Sequence, residues 1–482
     1  MHYFLGVDMG TSSIKATLLD EEANILFTKK IAVQLINPAE GIYEIDPIKT
    51  WWQGFSSICA GLKAEVDLHS VKAVCVSSVC GSFVPVDQNF NPLYNAILYG
   101  IDTRAKKQVA FLNEKYGEEY LREHLGGLFN THSVIPKFLW LKENYPDLYQ
   151  ECRYFVESNN FVTARLTGTA RWDFPTAAGT RLVDFQTMNI PEKILSDNGL
   201  DQGKIPDFSW PTAKIGEVHH TAATATGLKA GTTVVQGACD INAEAMAIGA
   251  INPGDLVFVY GSTISSLLTI ERYITLKGFN PGMSILENTY RLGGASSSGA
   301  RFIDWMDQLI GESYLNNRAD LPTGILILPY LDGARVPFDN PLAKGVFFGL
   351  QRKTEKKDLY LAAREAIGYE VGLLLDKLNS VYPVSGTIKA MGGLTNDQAL
   401  MQMISDITGK KQKVYKGIDA SFGDALLAMT TSYSLTEIDQ LVNVKKVRNP
   451  STIFTPDETM HQAYQPLVGK YNRLYENLKE LF

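Results

Sequence analysis

Residues 3–19 read YFLGVDMGTSSIKATLL. Tyr3–Val7 is an apolar run of strand length, and Ile14–Leu19 is a second. Between them Asp8-Met9-Gly10-Thr11-Ser12-Ser13 forms a polar turn around one glycine. Asp20, Glu21, Glu22 and Asn24 then precede Ile25-Leu26-Phe27, so the opening predicts a β-meander with short turns. The turn carries chemistry as well as shape. Glycine lets backbone approach an anion, and successive amides and hydroxyls can donate to phosphate oxygens. A carboxylate at the strand end, Asp8, offers oxygen to a hard cation such as Mg²⁺. A hairpin turn with a merely polar surface reads equally well from these residues.

Strand and helix signals alternate downstream. Pro47–Gly61 predicts a helix with Asp46 as its N-cap and proline at the first helical position. Val71–Val76 is a short buried strand, and 160–166 a helix ending at Gly168. Such alternation points to an α/β class. The opening theme returns in the second half. Asp255–Tyr260 is an apolar run, Gly261-Ser262-Thr263 a glycine-hydroxyl turn, and Ile264–Ile270 a second run. An internal duplication and its absence stand at even weight on this faint likeness. The turn-like Lys229-Ala230-Gly231-Thr232 places a boundary near 231–236. The expected domains are 1–235, 236–450 and a helical segment 451–482.

Composition narrows the function classes. A formal net charge of −7 gives no general attraction to nucleic acid or an anionic membrane. Any bound phosphate is then held locally, by amides and a metal. The five cysteines lack CxxC spacing, which favours a reducing compartment over a disulfide framework or zinc site. Asp8 interrupts the first apolar run, against a secretory leader, and no apolar stretch reaches about 18 residues. There is no GxxxxGK[ST] loop, HExxH or GxSxG.

Two further constellations matter. The apolar Thr233-Val234-Val235 leads to Gly237-Ala238-Cys239-Asp240, followed by a helix over 243–248. A carboxylate at a strand end fits a reaction centre, and it fits an N-cap equally well. Met391-Gly392-Gly393-Leu394-Thr395-Asn396 leaves room for a flat ring or ribose. It also reads as a strand-to-helix loop capped by Thr395 or Asn396.

Taken in order, these segments resemble the FGGY carbohydrate kinase family, most closely its xylulokinase-like branch. Residues 6–15 are similar to its first phosphate loop, and Glu44-Ile45-Asp46-Pro47 with Trp51-Trp52 to its acidic-proline-tryptophan segment. Gly100-Ile101-Asp102-Thr103-Arg104 resembles the Trp-x-Asp-x-Arg motif, with Tyr99 and Gly100 in place of tryptophan. Residues 165–168 and 173–184, then 330–350, follow further family patterns, with Ala334 where glutamate is usual. Gly261-Ser262-Thr263 resembles the second phosphate loop, Gly392-Gly393 the adenosine loop, and 421–425 the closing Gly-Ala segment. The family's Gly-Gln-Met-His-Gly is replaced by a stretch containing Ser78-Val79-Cys80-Gly81-Ser82, which puts xylulose itself in doubt.

The resemblance implies two actin-like (ribonuclease H-like) α/β domains with ATP in an interdomain cleft, and cytoplasmic sugar metabolism. It implies phosphorylation of a small sugar or polyol hydroxyl, with Asp240 as catalytic base. ATP would be bound by Gly10, Thr11, Ser12, Ser13, Lys15, Gly261, Ser262, Thr263, Gly392, Gly393 and Asn396. Mg²⁺ would be held by Asp8 and Asp240. Val79, Cys80, Asp102, Arg104, Asp240 and Asn242 would face the acceptor. No nucleic-acid or membrane partner is implied, and a homodimer is left open. The rival readings are a non-enzymatic actin-like ATP-binding module and a degenerate kinase acting as a sugar sensor.

Overall fold

The computed structural model describes residues 2–311, 314, 322–444 and 450–482. The chain forms two compact units. The first comprises Met1–Ile251, Gly282–Thr289 and Ile418–Arg448; the second comprises Asn252–Pro281, Tyr290–Gly417 and Asn449–Phe482.

In the first unit the opening meander is β1 (Tyr3–Met9), β2 (Ser13–Asp20) and β3 (Ile25–Ala32), paired antiparallel. β4 (Val71–Ser78) joins β1 in parallel, β6 (Thr233–Val235) joins β4 in parallel, and β5 (Lys214–Glu217) closes the edge antiparallel to β6. The spatial order is β5-β6-β4-β1-β2-β3. β1 and β4 are buried almost throughout, as expected of central strands covered on both faces. Leu5, Val7, Ile14, Trp51, Phe55, Val74 and Phe161 belong to one core. Asp46 caps the 47 helix through the amides of Ile48 and Lys49, as its sequence predicts.

The second unit repeats this plan. Six strands of its main sheet are β7 (Leu256–Tyr260), β8 (Ile264–Ile270), β9 (Tyr290–Ala295), β10 (Thr387–Met391), β11 (Lys411–Val414) and β12 (Thr452–Phe454). β7-β8-β9 is again an antiparallel meander, β10 pairs β7 in parallel, β11 pairs β10 in parallel, and β12 is an antiparallel edge. Every pairing sense matches the first unit. Only the chain order of the last two strands differs, since the edge strand precedes its neighbour in one unit and follows it in the other. The duplication left open by the sequence is therefore plain in the topology. Helix Lys356–Asn379, opened by a capping box from Glu355 and Asp358, covers this sheet. The C-terminal helix Glu458–Leu478 packs against it, with the Tyr471 and Tyr330 hydroxyls both donating to Glu370 at 2.6 Å.

The units are drawn differently from the expected domain ranges. Residues 236–251 and 418–448 fall with the N-terminal unit, not with the second. The reason is packing. Helix Asp240–Ala247 and helix Ala420–Met429 lie against each other, and the latter lies on β1. Two glycines permit it. A Cβ on Gly423 would strike the Ala243 carbonyl, and one on Gly6 would strike the Ser421 carbonyl and the Ala425 amide. Gly423→Ala therefore forces two helices apart. Overpacking of this kind costs about 1–3 kcal/mol, so we expect a lowered urea midpoint with an unchanged m-value.

Candidate functional site

β1 ends at the turn foreseen for phosphate. Asp8 is buried, with 6% of its surface exposed, and lies opposite Lys15 in the β1–β2 register. The turn closes on itself through the Gly10 amide, which donates to the Ser13 carbonyl at 3.0 Å. That amide is used within the protein, and Ser13 is buried, so Thr11 and Ser12 are the turn's accessible hydroxyls.

Asp240 stands at the first position of helix Asp240–Ala247, and Cys239 is the N-cap. The carboxylate accepts the neighbouring Ile241 amide at 2.8 Å and is half-buried. A capping role alone does not describe it, because its charge also acts on Asp8 and on Glu244. Burial, then Asp240, then Asp419 push the Asp8 carboxyl up to about 7, against the opposing pull of Lys15 and a Ser77 hydrogen bond. Burial, then Asp240 and Asp8, push Glu244 up to about 8. Lys15 meets Asp419 at 3.4 Å, and Asp419 caps helix Ala420–Met429. Beneath them Asp424 is fully buried and accepts the Ser77 hydroxyl at 2.6 Å; burial holds its carboxyl well above the usual range.

Asp8, Asp240, Glu244 and Asp419 thus share one field with a single lysine. Sequence reasoning missed Glu244 and Asp419. Glu244 was findable, since it sits four residues after Asp240 and shares its helix face. Such a field suits a cation. Among the described residues no group of three or more His, Cys, Asp or Glu comes close enough to cage a metal. Mg²⁺ needs no such cage, being held through one or two carboxylates, waters and substrate phosphates. Asp8 and Asp240 fit that donor set.

The acceptor-side expectations fare differently. Asp102 and Arg104 form a closed ion group with Glu44. Arg104 makes 2.9 and 2.7 Å contacts to Asp102 and a 2.9 Å contact to Glu44, and Asp102 also accepts the Tyr43 amide at 2.8 Å. The Arg104 and Asp102 side chains are 1% and 0% exposed, and Arg104 Nη1 is buried without a hydrogen-bond partner among the described residues. Asn242 is likewise 1% exposed and donates to the Cys239 sulfur. Val79 and Cys80 are half-buried and remain accessible. They follow Ser78, which bridges Cys239 in parallel, so Val79 and Asp240 each lie one residue beyond the same bridge. Ser158 meets Ser78 at 2.5 Å, and Gln236 donates to Asn160 at 2.9 Å, so the bridge rests on buried polar contacts.

Lys137 was also missed. Its ammonium is buried and donates to the carbonyls of Leu98 at 2.5 Å and Tyr99 at 3.0 Å; burial pulls its pKa down to about 7. No motif marks it, because its partners are backbone groups nearly 40 residues away.

In the second unit, Gly261 and its neighbours form an exposed turn whose carbonyls accept the Ala300 and Arg301 amides. Gly392, at φ 103°, lies against the Tyr260 backbone, so the glycine loop sits at the end of β7 beside that turn. Asn396 is exposed, and Asp397, rather than Thr395 or Asn396, caps the next helix.

Comparison with known proteins places these features. The FGGY family of carbohydrate kinases, N-terminal domain, matches residues 3–247, and its C-terminal domain matches residues 256–432. The chain is 25% identical to the xylulose kinase of Escherichia coli K12 over 491 aligned positions, covering 99% of each. It superposes on the xylulose kinase of Rhodospirillum rubrum with a TM-score of 0.89 at 20% identity, covering 100% of this chain and 99% of that one. The glycerol kinase of Plasmodium falciparum, solved with ADP, gives 0.87 at 21% identity, covering 99% and 98%. The fold is accordingly that of two actin-like, ribonuclease H-like α/β domains. No described helix is long and apolar enough to cross a membrane.

Two outcomes follow from the electrostatics. Glu244 binds its proton more tightly folded than unfolded, so its contribution to stability falls as pH rises from about 4.5 to about 8. Glu244→Gln should therefore raise the ligand-free melting temperature at pH 8.5 and change it little at pH 4.5, as read by calorimetry. Arg104→Met strands two buried carboxylates and should cost about 3–5 kcal/mol in denaturant unfolding. A residue that merely touched substrate would leave stability unchanged.

Proposed function

Because the chain belongs to the FGGY family of carbohydrate kinases, and is thus a phosphotransferase, we propose that it moves the γ-phosphoryl group of ATP to a hydroxyl of a small sugar or polyol, with Asp240 as general base. The observation that carries this reading is the placement of Asp240. It is a half-buried carboxylate at a helix start, one residue beyond the Ser78–Cys239 bridge, and its charge is felt by Asp8 at the end of β1.

Phosphoryl transfer leaves little covalent work to the protein, and positioning and charge supply most of the rate. Asp240 accepts the proton as the acceptor oxygen attacks. Thr11 and Ser12 donate to phosphate oxygens, with Ser262, Thr263 and the 392–393 glycines as nucleotide contacts of the second unit. Lys15, steadied by Asp419, lowers the negative potential at the β1 turn. Asp8 and Asp240 would hold Mg²⁺, which would offset the phosphate charge. The acceptor is not chosen by the fold, since neighbours named for xylulose and for glycerol share it.

Asp240→Asn keeps size and loses the base. A general base contributes roughly 10²–10⁴ in rate, so turnover with a panel of ketoses, polyols and aldonates should fall by that factor while ATP binding by calorimetry persists. Near-normal turnover would reject the assignment.

A further inference from the structure

We propose that the first unit carries a second ligand site, apart from the β1 turn, that binds a small phosphate monoester of a polyol. A cleft of about 420 Å³ opens on this unit, lined in part by Arg153, Tyr154, Arg171, Asn189, Asp207 and Phe208. That volume lies within the range of small-molecule sites. The cleft stands at the outer ends of three short strands. Tyr154–Glu157 starts in it and runs inward to Ser158, which meets Ser78. Trp172–Asp173 pairs in parallel with Phe208–Ser209. At their inner ends Asp173 hydrogen-bonds Glu157, and Ser209 donates to Gln236 at 2.6 Å. The inner ends thus belong to the polar contacts beneath the Ser78–Cys239 bridge, and no residue of the β1 turn lines the cleft.

The chemistry of the lining selects the ligand. The chain as a whole carries −7, yet the cleft sets two guanidiniums against one carboxylate, a local reversal of sign. Arg153 Nη1 donates to the Gly203 carbonyl at 2.8 Å, and the guanidinium lies over the Tyr154 ring, 4.2 Å from its centroid. Arg171 Nη1 donates to Asp207 at 2.9 Å and to the Ala170 carbonyl at 3.4 Å. In both arginines the committed atom is Nη1. Nε and Nη2 remain, and that edge makes the two parallel bonds by which arginine holds a phosphate. Arg153 is exposed and Arg171 half-exposed, so water and a ligand reach both. The remaining groups suit a polyol more than a bare ion. Asn189 commits Oδ1 to the Ile190 amide at 2.8 Å, which leaves its Nδ2 donors for a hydroxyl. Asp207, 84% exposed, accepts from a hydroxyl where it would repel a phosphate. Phe208, steadied by Phe174 at 5.4 Å between centroids, offers an apolar face to carbon.

The test is titration calorimetry on the full chain, saturated with a nonhydrolysable ATP analogue, with glycerol 3-phosphate and inorganic phosphate as probes. Glycerol 3-phosphate should bind, and more tightly than inorganic phosphate. Arg153→Ala and Arg171→Ala should each weaken it roughly 10-fold, the loss of a charge-assisted contact, with the affinity for the ATP analogue unchanged. Asp207→Asn should tighten it about 2- to 5-fold, the range of one exposed charge; a damaged fold would not produce a gain. No binding, or the same affinity in the unsubstituted protein and all three variants, overturns the inference. Equal affinity for the two probes means an adventitious ion only and overturns it too. These outcomes are independent of turnover in Asp240→Asn, so the kinase reading stands or falls separately.

Discussion

The first unit depends on backbone meeting backbone at two glycines. Gly423 lets helix Ala420–Met429 touch the Ala243 carbonyl, and Gly6 lets the same helix touch β1. No side chain separates these elements, so the groups at their ends cannot drift apart. That packing brings Asp8, Asp240, Glu244 and Asp419 into mutual electrostatic reach. Burial first, and then repulsion among these carboxylates against one opposing lysine, Lys15, push Asp8 and Glu244 upward. Under the proposed function, a hard cation and a polyphosphate arriving together would relieve that repulsion, since the cation would offset both sets of negative charge.

The two units show how one sheet plan serves different tasks. Each begins with an antiparallel meander whose first turn holds glycine and hydroxyls, and each continues through two parallel strands. In the first unit a carboxylate-bearing helix, Asp240–Ala247, follows β6. In the second, Gly392 follows β10 and lies against the end of β7. The sheet fixes where a strand ends, and the residues placed there determine the chemistry.

Much of this was legible from residue order. The meander, the Asp46 cap, the Gly168 helix end and the Gly261 turn all rest on local chemistry, and each stands where its residues indicated. The domain boundary did not follow, because the segment carrying helix Ala420–Met429 returns to the first unit through contacts hundreds of positions away. Duplication stayed ambiguous because pairing sense and strand order carry it, not residue identity. Asp102 and Arg104 read as acceptor contacts from their likeness to the Trp-x-Asp-x-Arg motif, and that motif says nothing of their ion pairing. Glu44, which closes the ion group, lies 58 positions before Asp102 in the chain, and only folding brings it near. Lys137 has no motif at all, and it is placed by the backbone carbonyls it meets.

The central claim is that Asp240 faces the acceptor oxygen. A crystal structure with acceptor and a nonhydrolysable ATP analogue tests it most directly. The account predicts an Asp240 carboxylate oxygen about 2.6–3.2 Å from one acceptor hydroxyl, with that hydroxyl directed at the terminal phosphate. An acceptor bound away from Asp240, with the carboxylate engaged only by the Ile241 amide, would contradict it.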